Sequence, residues 1–145
     1  MTEVTIRTDG SCYDNGVKDR APMPGCAFIV TDNESGEVIY KRAFKPKSKH
    51  TPTENRCEAF AMLAAVRWLQ KHKQYMATIE SDSKLMVDGI TGLARRKANR
   101  DIWEHLESLI PAVAKRIKEF RLIPREDNSE ADKLAKQAAL AIFLN

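Results

Sequence analysis

Asp9 opens the tetrapeptide Asp9-Gly10-Ser11-Cys12 directly after the alternating run Val4-Thr5-Ile6-Arg7-Thr8. It therefore puts a carboxylate where a first strand ends and the chain turns toward a ligand. Three more acids, Glu58, Asp82 and Asp132, fall at or near comparable junctions of strands and helices. Converging, four carboxylates would present only hard oxygen ligands, a set that suits Mg²⁺ or Mn²⁺ better than zinc. Each aspartate also has a local explanation. Asp9 before Gly10 can start a turn, Asp82 before Ser83 can cap a helix, and Asp132, three residues after Ser129, has the spacing of a capping box. Glu58 is different, because on a helix it lines up with Ala61, Met62, Ala65 and Leu69 on an apolar face. A buried ionised carboxylate there is costly unless it is protonated and hydrogen-bonded, paired, or bound to metal. Arg56, two positions away, points elsewhere.

The elements that must position these groups follow from apolar periodicity. Val4 to Thr8, Cys26 to Val30 and Val38 to Phe44 read as strands, and the turn formers Asp32-Asn33-Glu34-Ser35-Gly36 make the last two a hairpin in an antiparallel meander. Tyr13 to Gly25 reads as a long loop. Thr51 and Pro52 predict the N-cap and first turn of a central helix running to about Lys71, with the basic stretch Lys45-Pro46-Lys47-Ser48-Lys49-His50 before it. A fourth strand over Ala77 to Ser81, a short helix to about Ile90, and a helix from about Asp101 follow; Pro111 should kink or split that last helix. Phe120 to Ile123 is a fifth strand, and Glu130 to about Phe143 a final helix. Crossover helices between the later strands imply parallel pairing, so the fold class is α/β, a mixed five-stranded sheet flanked by helices. Ligands of such sheets gather at the carboxyl ends of adjacent parallel strands, where Asp9 and Asp82 both lie.

The chain of 145 residues, 43% apolar, is long enough for one domain over 1–145 with a real core. It shows no leader pattern and no membrane-length apolar stretch, and is expected to be cytoplasmic. Cys12, Cys26 and Cys57 lack metal-ligand spacing and read as reduced, packed thiols. A net charge of +4 leans mildly toward a polyanionic partner.

Thr8-Asp9-Gly10-Ser11-Cys12, Thr53-Glu54-Asn55-Arg56-Cys57-Glu58-Ala59, Glu80-Ser81-Asp82-Ser83 and Asn128-Ser129-Glu130-Ala131-Asp132-Lys133-Leu134-Ala135 resemble the four motifs of type 1 ribonuclease H. They stand in that family's order and together span nearly the whole chain. The resemblance implies a ribonuclease H-like fold and an endonuclease that hydrolyses the RNA strand of RNA/DNA hybrids. Two Mg²⁺ ions, or Mn²⁺ in their place, would serve the reaction, which leaves a 5′-phosphate and a 3′-hydroxyl. By resemblance Asp9 bridges both ions, Glu58 and Asp82 complete one site, and Asp132 the other. The backbone of Gly10, Ser11 and Cys12, with Glu58, would read the RNA 2′-hydroxyl. Asn15 and Asn55 match asparagines that contact the hybrid, Thr53 matches a threonine in a pocket for a DNA phosphate, and Asn128 joins the substrate-binding set. The implied partner is the hybrid, and the implied state a monomer with no obligate protein partner.

The chain departs from that family at three places. The histidine that many members carry before the last helix is absent from Pro124-Arg125-Glu126-Asp127-Asn128, leaving Arg125 or Glu126 as the candidates to replace it. His50, His72 and His105 fall in other elements and read as surface residues. The basic extension of bacterial relatives is missing between Ile90 and Ile102, where only Arg95, Arg96, Lys97 and Arg100 remain, so fewer phosphate contacts are expected. The loop from Tyr13 to Gly25 is longer than usual, and Glu54 stands where asparagine is frequent. Lys45, Lys47 and Lys49 either line a hybrid groove or solvate a loop, and Trp68 and Trp103 read as core. Two other functions fit the same fold: a catalytically silent module binding hybrid or duplex RNA, and a DNA-directed nuclease. Clustered negative charge argues against the first, and the Asp-Gly-Ser-Cys segment with Asn55 against the second.

Overall fold

A computed structural model describes residues 1–13, 21–92 and 98–140; Asn15, Arg95, Arg96, Lys97 and the expected end of the last helix at Phe143 lie outside them. Five strands, β1 (Thr2–Tyr13), β2 (Met23–Asp32), β3 (Val38–Phe44), β4 (Tyr75–Ser81) and β5 (Ile117–Leu122), form one sheet in the order β3-β2-β1-β4-β5. β1 is antiparallel to β2 and β2 to β3, whereas β4 runs parallel to β1 and β5 parallel to β4. The expected mixed topology is therefore what forms. Helices α1 (Glu54–Lys71), α2 (Lys84–Thr91), α3 (Arg100–Val113) and α4 (Ser129–Ala139) flank it. Among the described residues no helix is long and apolar enough to cross a membrane.

Strand alternation sorts the sheet's two faces. Val4 and Ile6 of β1 and Phe28 and Val30 of β2 pack with Met62, Leu63, Val66 and Leu69 of α1 in the main core, joined by Ile102 and Leu106 of α3. Trp68 and Trp103 belong to this core, as expected, at 7% and 6% exposure. The opposite face of β1 and β2 is covered by α4. Two glycines allow the helices to come this close. A Cβ on Gly10 would lie 2.2 Å from the backbone nitrogen of Glu58 in α1, and one on Gly25 would lie 2.0 Å from the carbonyl oxygen of Ala135 in α4. Gly10 pairs with Cys26 and Gly25 with Ser11, so these close approaches occur at one end of the sheet and on its two sides.

Several boundaries differ from the sequence reading, each for a local reason. Asp9-Gly10-Ser11-Cys12 is not a turn: β1 continues through it to Tyr13, paired with β2 from Asp9↔Ala27 to Tyr13↔Met23, so Met23 to Gly25 is strand and not loop. The N-cap of α1 is Thr53 and not Thr51. Thr53 is extended, its Oγ1 accepts the Arg56 N–H at 3.1 Å, and Pro52 precedes the helix. Pro111 does not split α3, which runs through it to Val113; the proline sits exposed in the last turn of the helix. After Val113 the chain tightens into a 3₁₀ turn, Ala114–Arg116, that leads to β5.

Candidate functional site

Asp9 lies on β1 just past the point where pairing with β4 ends at Thr8↔Ser81. Asp82 follows the last residue of the neighbouring parallel strand β4, and Glu58 projects from the second turn of α1 above Gly10. A carboxylate oxygen from each of Asp9, Glu58 and Asp82 falls within 4.8 Å of the others. Asp132, on the first turn of α4, lies close enough to Asp9 for a side-chain hydrogen bond and its charge to act on that carboxyl. Its own carboxylate accepts from Lys136 Nζ at 2.9 Å, and it stands outside the three-carboxylate group.

The turn and capping explanations for the aspartates do not hold, although Asp132 does stand in the first turn of α4, where an acid favours the positive end of the helix. Asp9 is in a strand. The N-cap of α2 is Ser83, whose hydroxyl accepts the Met86 N–H at 3.2 Å, so Asp82 does not cap. The chain enters α4 through a 3₁₀ turn, Arg125–Asn128, which makes Ser129 a helical residue (φ −62°, ψ −35°) and removes the capping box that would have used Asp132. Glu58 is buried at 5% exposure and Asp9 at 3%, with Ala61, Met62, Ala65 and Leu69 buried along the same helix as expected.

Burial makes this cluster electrostatically costly. It pushes the Asp9 carboxyl up to about 7; proton donation from Glu58 opposes the rise, and the charges of Asp82 and Asp132 add to it. Glu58 is held well above the usual carboxylate range, first by burial and then by the charge of Asp9, with the Gly10 N–H partly offsetting both. Asp9 and Glu58 thus share a proton rather than ionise together, as like charges at this range must. Glu58 Oε2 is buried and has no hydrogen-bond partner. A divalent cation would relieve the repulsion and satisfy that oxygen, so the residues present fit a hard metal ion with carboxylate ligands.

Asn128, expected among the substrate-binding residues, is an interior strut at 1% exposure. Its Nδ2 donates to the Thr8 carbonyl at 2.9 Å and to Asp82 Oδ2 at 3.2 Å, tying the end of β1 to the carboxylate after β4. The sequence signal available for this role was an asparagine at a strand-to-helix junction, which is equally the signal for a cap. Gly25 was read as loop chemistry although it admits α4 to the site. Ser11 and Cys12 are half-buried, and among the described residues β1 pairs with β2 but no longer with β4 beyond Thr8. Asn55 is exposed at the start of α1, and Arg125 and Glu126 are exposed on the 3₁₀ turn. Among the histidines, His50 and His105 are exposed as expected, whereas His72 stacks on Trp68 with ring centroids 4.4 Å apart.

A family model described as RNase H matches residues 1–140. No curated protein sequence gives a match. Among solved structures, an N-terminal RNase H domain from Mycobacterium tuberculosis, studied as a fusion with maltose-binding protein, superposes with a TM-score of 0.80 at 22% identity, covering 97% of this chain and 96% of that one. An RNase H1 isolated from compost by a metagenomic approach superposes equally well, at 0.80 and 22% identity over 97% and 98% of the two chains. The same compost enzyme in complex with an RNA/DNA hybrid gives 0.74 at 22% identity over 95% and 97%. At these identities the likeness establishes the fold.

Proposed function

The chain belongs to the ribonuclease H family, and from that premise we propose that it hydrolyses the RNA strand of RNA/DNA hybrids at the Asp9, Glu58 and Asp82 cluster, with Asp132 completing the metal-binding set. The observation that carries this reading is the convergence of three carboxylates, two of them buried, where β1 and β4 cease to pair, none with a structural partner sufficient to offset its charge. The hybrid-bound relative of the same fold supports the choice of partner.

In this proposal Asp9, Glu58 and Asp82 would hold one ion, and Asp9 with Asp132, freed of Lys136, would hold a second. Two Mg²⁺ ions, or Mn²⁺ in their place, would supply an activated water and charge stabilisation at the leaving oxygen, giving a 5′-phosphate and a 3′-hydroxyl. The chain's own groups do the rest. Asn128 holds Asp82 in orientation through its 3.2 Å hydrogen bond. The backbone of Gly10, Ser11 and Cys12, beyond the last pair with β4, would read a ribose 2′-hydroxyl, the group that separates RNA from DNA. Thr53 Oγ1 accepts from the Arg56 N–H and keeps its own O–H to donate to a DNA phosphate. Asn55, exposed beside it, and Asn15 would contact the hybrid. Arg125 and Glu126, exposed before α4, are the groups available to aid product release in the absence of a histidine.

The test offers end-labelled RNA/DNA hybrid, duplex RNA and duplex DNA with Mg²⁺, Mn²⁺ or EDTA, beside an Asp9→Asn variant. Metal-dependent cutting confined to the RNA of the hybrid, and lost in the variant, is expected. Tight hybrid binding without cleavage in either metal would sink the enzymatic reading, and cutting of duplex DNA would reassign the substrate.

A further inference from the structure

Arg56 is the one arginine buried among the described residues, at 6% exposure, and it neighbours the carboxylate cluster without facing it. Its Nη1 donates to Asn99 Oδ1 at 3.2 Å and to Asp101 Oδ1 at 3.0 Å, and its Nη2 donates to Asp101 Oδ2 at 2.9 Å and to Ser48 Oγ at 3.1 Å. The four terminal N–H groups of the guanidinium are therefore committed, and its Nε is buried with no partner. The one N–H of Arg56 left over is buried, so the guanidinium presents no exposed donor to a phosphate. What it holds is protein: Ser48 of the loop after β3, eight residues before it, and the start of α3, 43 to 45 residues after it, both joined to its own helix α1.

The start of α3 carries a second mark. Asn99 is the only non-glycine residue with a positive φ among those described, at 60°, and as the N-cap of α3 it makes no side-chain cap. An asparagine there ordinarily accepts a hydrogen bond from its own helix. Asn99 gives that oxygen to Arg56 instead, while its backbone carbonyl takes the Ile102 and Trp103 N–H groups. Asparagine tolerates the left-handed region better than most residues, and the hydrogen bond from Arg56, itself fixed by the bidentate fork to Asp101, holds Asn99 there in place of a cap.

Resting on the hybrid-hydrolase reading, we propose that Arg56 is a positioning residue for substrate binding: its fork fixes the lysine loop, the α1 N-terminus and the α3 N-terminus into one preformed surface for the hybrid backbone. The groups so assembled are Lys45, Lys47 and Lys49 on the loop, Thr53 and Asn55 at α1, and Arg100 at α3; the three lysines, Asn55 and Arg100 are exposed. Arg56 adds no net charge to this surface, because Asp101 neutralises it and is itself held down to about 2, chiefly by the hydrogen bonds from Arg56. Without a long basic extension, this surface gains affinity from having its cations already in place, since an ordered surface loses less entropy on binding.

The test uses Arg56→Lys, which keeps the charge and removes the fork. Hybrid affinity is measured by fluorescence anisotropy in EDTA, alongside steady-state cleavage in Mg²⁺. The expected result is a loss of affinity of about tenfold, with a matching rise in KM, while kcat at saturating hybrid and the stabilisation by Mg²⁺ stay at wild-type levels. Should Arg56→Lys fail to fold, the Ser48→Ala/Asp101→Asn double variant, altered at two exposed positions, makes the same prediction. Affinity within twofold of wild type in a folded variant would overturn the proposal, as would a fall in kcat at unchanged KM, which would mean that Arg56 acts through Glu58. Wild-type protein that binds hybrid but never cuts it refutes the hydrolase reading, and the anisotropy arm still decides the role of Arg56.

Discussion

Replacing Asp9 by asparagine should stabilise the metal-free protein at neutral and higher pH. The Asp9 carboxyl is raised from its ordinary 3.8 to about 7, first by burial. Between those values the folded chain holds a proton that the unfolded chain has released, so unfolding releases protons and stability falls as pH climbs through the interval. Above about 7 the loss is complete, and a rise from 3.8 to about 7 corresponds to about 4 kcal/mol withheld from folding. That is a ceiling, since Glu58 shares the proton and the cost belongs to the pair. Asparagine cannot ionise, and its amide oxygen can still accept from Glu58. A gain of about 1–3 kcal/mol at about pH 8 in EDTA, or roughly 3–10 °C in Tm for a chain of this size, is therefore expected. Near pH 4.5, where Asp9 is mostly protonated when folded, the advantage should largely vanish. Excess Mg²⁺ should raise the Tm of the wild type and leave the variant nearly unmoved. Calorimetry at both pH values decides the matter. A variant less stable than wild type in EDTA at the higher pH, or an increment identical at both, would show that Asp9 has a structural task and that the repulsion argument is wrong.

Because Asp9 must lose its proton to accept a cation, Mg²⁺ or Mn²⁺ affinity should tighten as pH rises through about 7, and titration calorimetry in buffers of different ionisation enthalpy should detect proton release. An affinity flat across that range would contradict it. Gly25→Ala drives a Cβ against the Ala135 carbonyl and the Ala139 nitrogen, at 2.0 and 2.4 Å, so α4 must shift; a loss of about 3 kcal/mol by urea denaturation is expected, and a neutral result would mean that α4 does not sit this close. Asn128→Ala leaves the Thr8 carbonyl and Asp82 without their shared donor, which should cost about 1–3 kcal/mol and weaken the metal-induced Tm shift along with it. Loss of stability with an undiminished metal response would restrict Asn128 to the fold.

The two regular periods, and the punctuation between them, were legible in the chain itself. Alternation in Val4 to Thr8 and the apolar run around Met62 specify a strand and a central helix by local geometry, and Glu58 on that helix's apolar face already stood out as a buried charge. The mixed sheet follows, because helical crossovers impose parallel neighbours. The segment after Asp9 could not be read this way. Asp-Gly is turn chemistry by local propensity, yet β2 pairs with it through Tyr13, and long-range hydrogen bonding overrides the propensity. Nor could sequence separate capping aspartates from functional ones, since both occupy the same junctions. That was decided when Ser83 took one cap and a 3₁₀ turn removed the other. Gly10 and Gly25 admitting helices from opposite sides, Asn128 turned inward to Asp82, and Arg56 joined to Ser48, Asn99 and Asp101 are likewise facts of packing. Periodicity is a property of neighbours along the chain, whereas the cost of bringing Asp9, Glu58 and Asp82 within one ion's reach exists only once the fold has excluded water from between them.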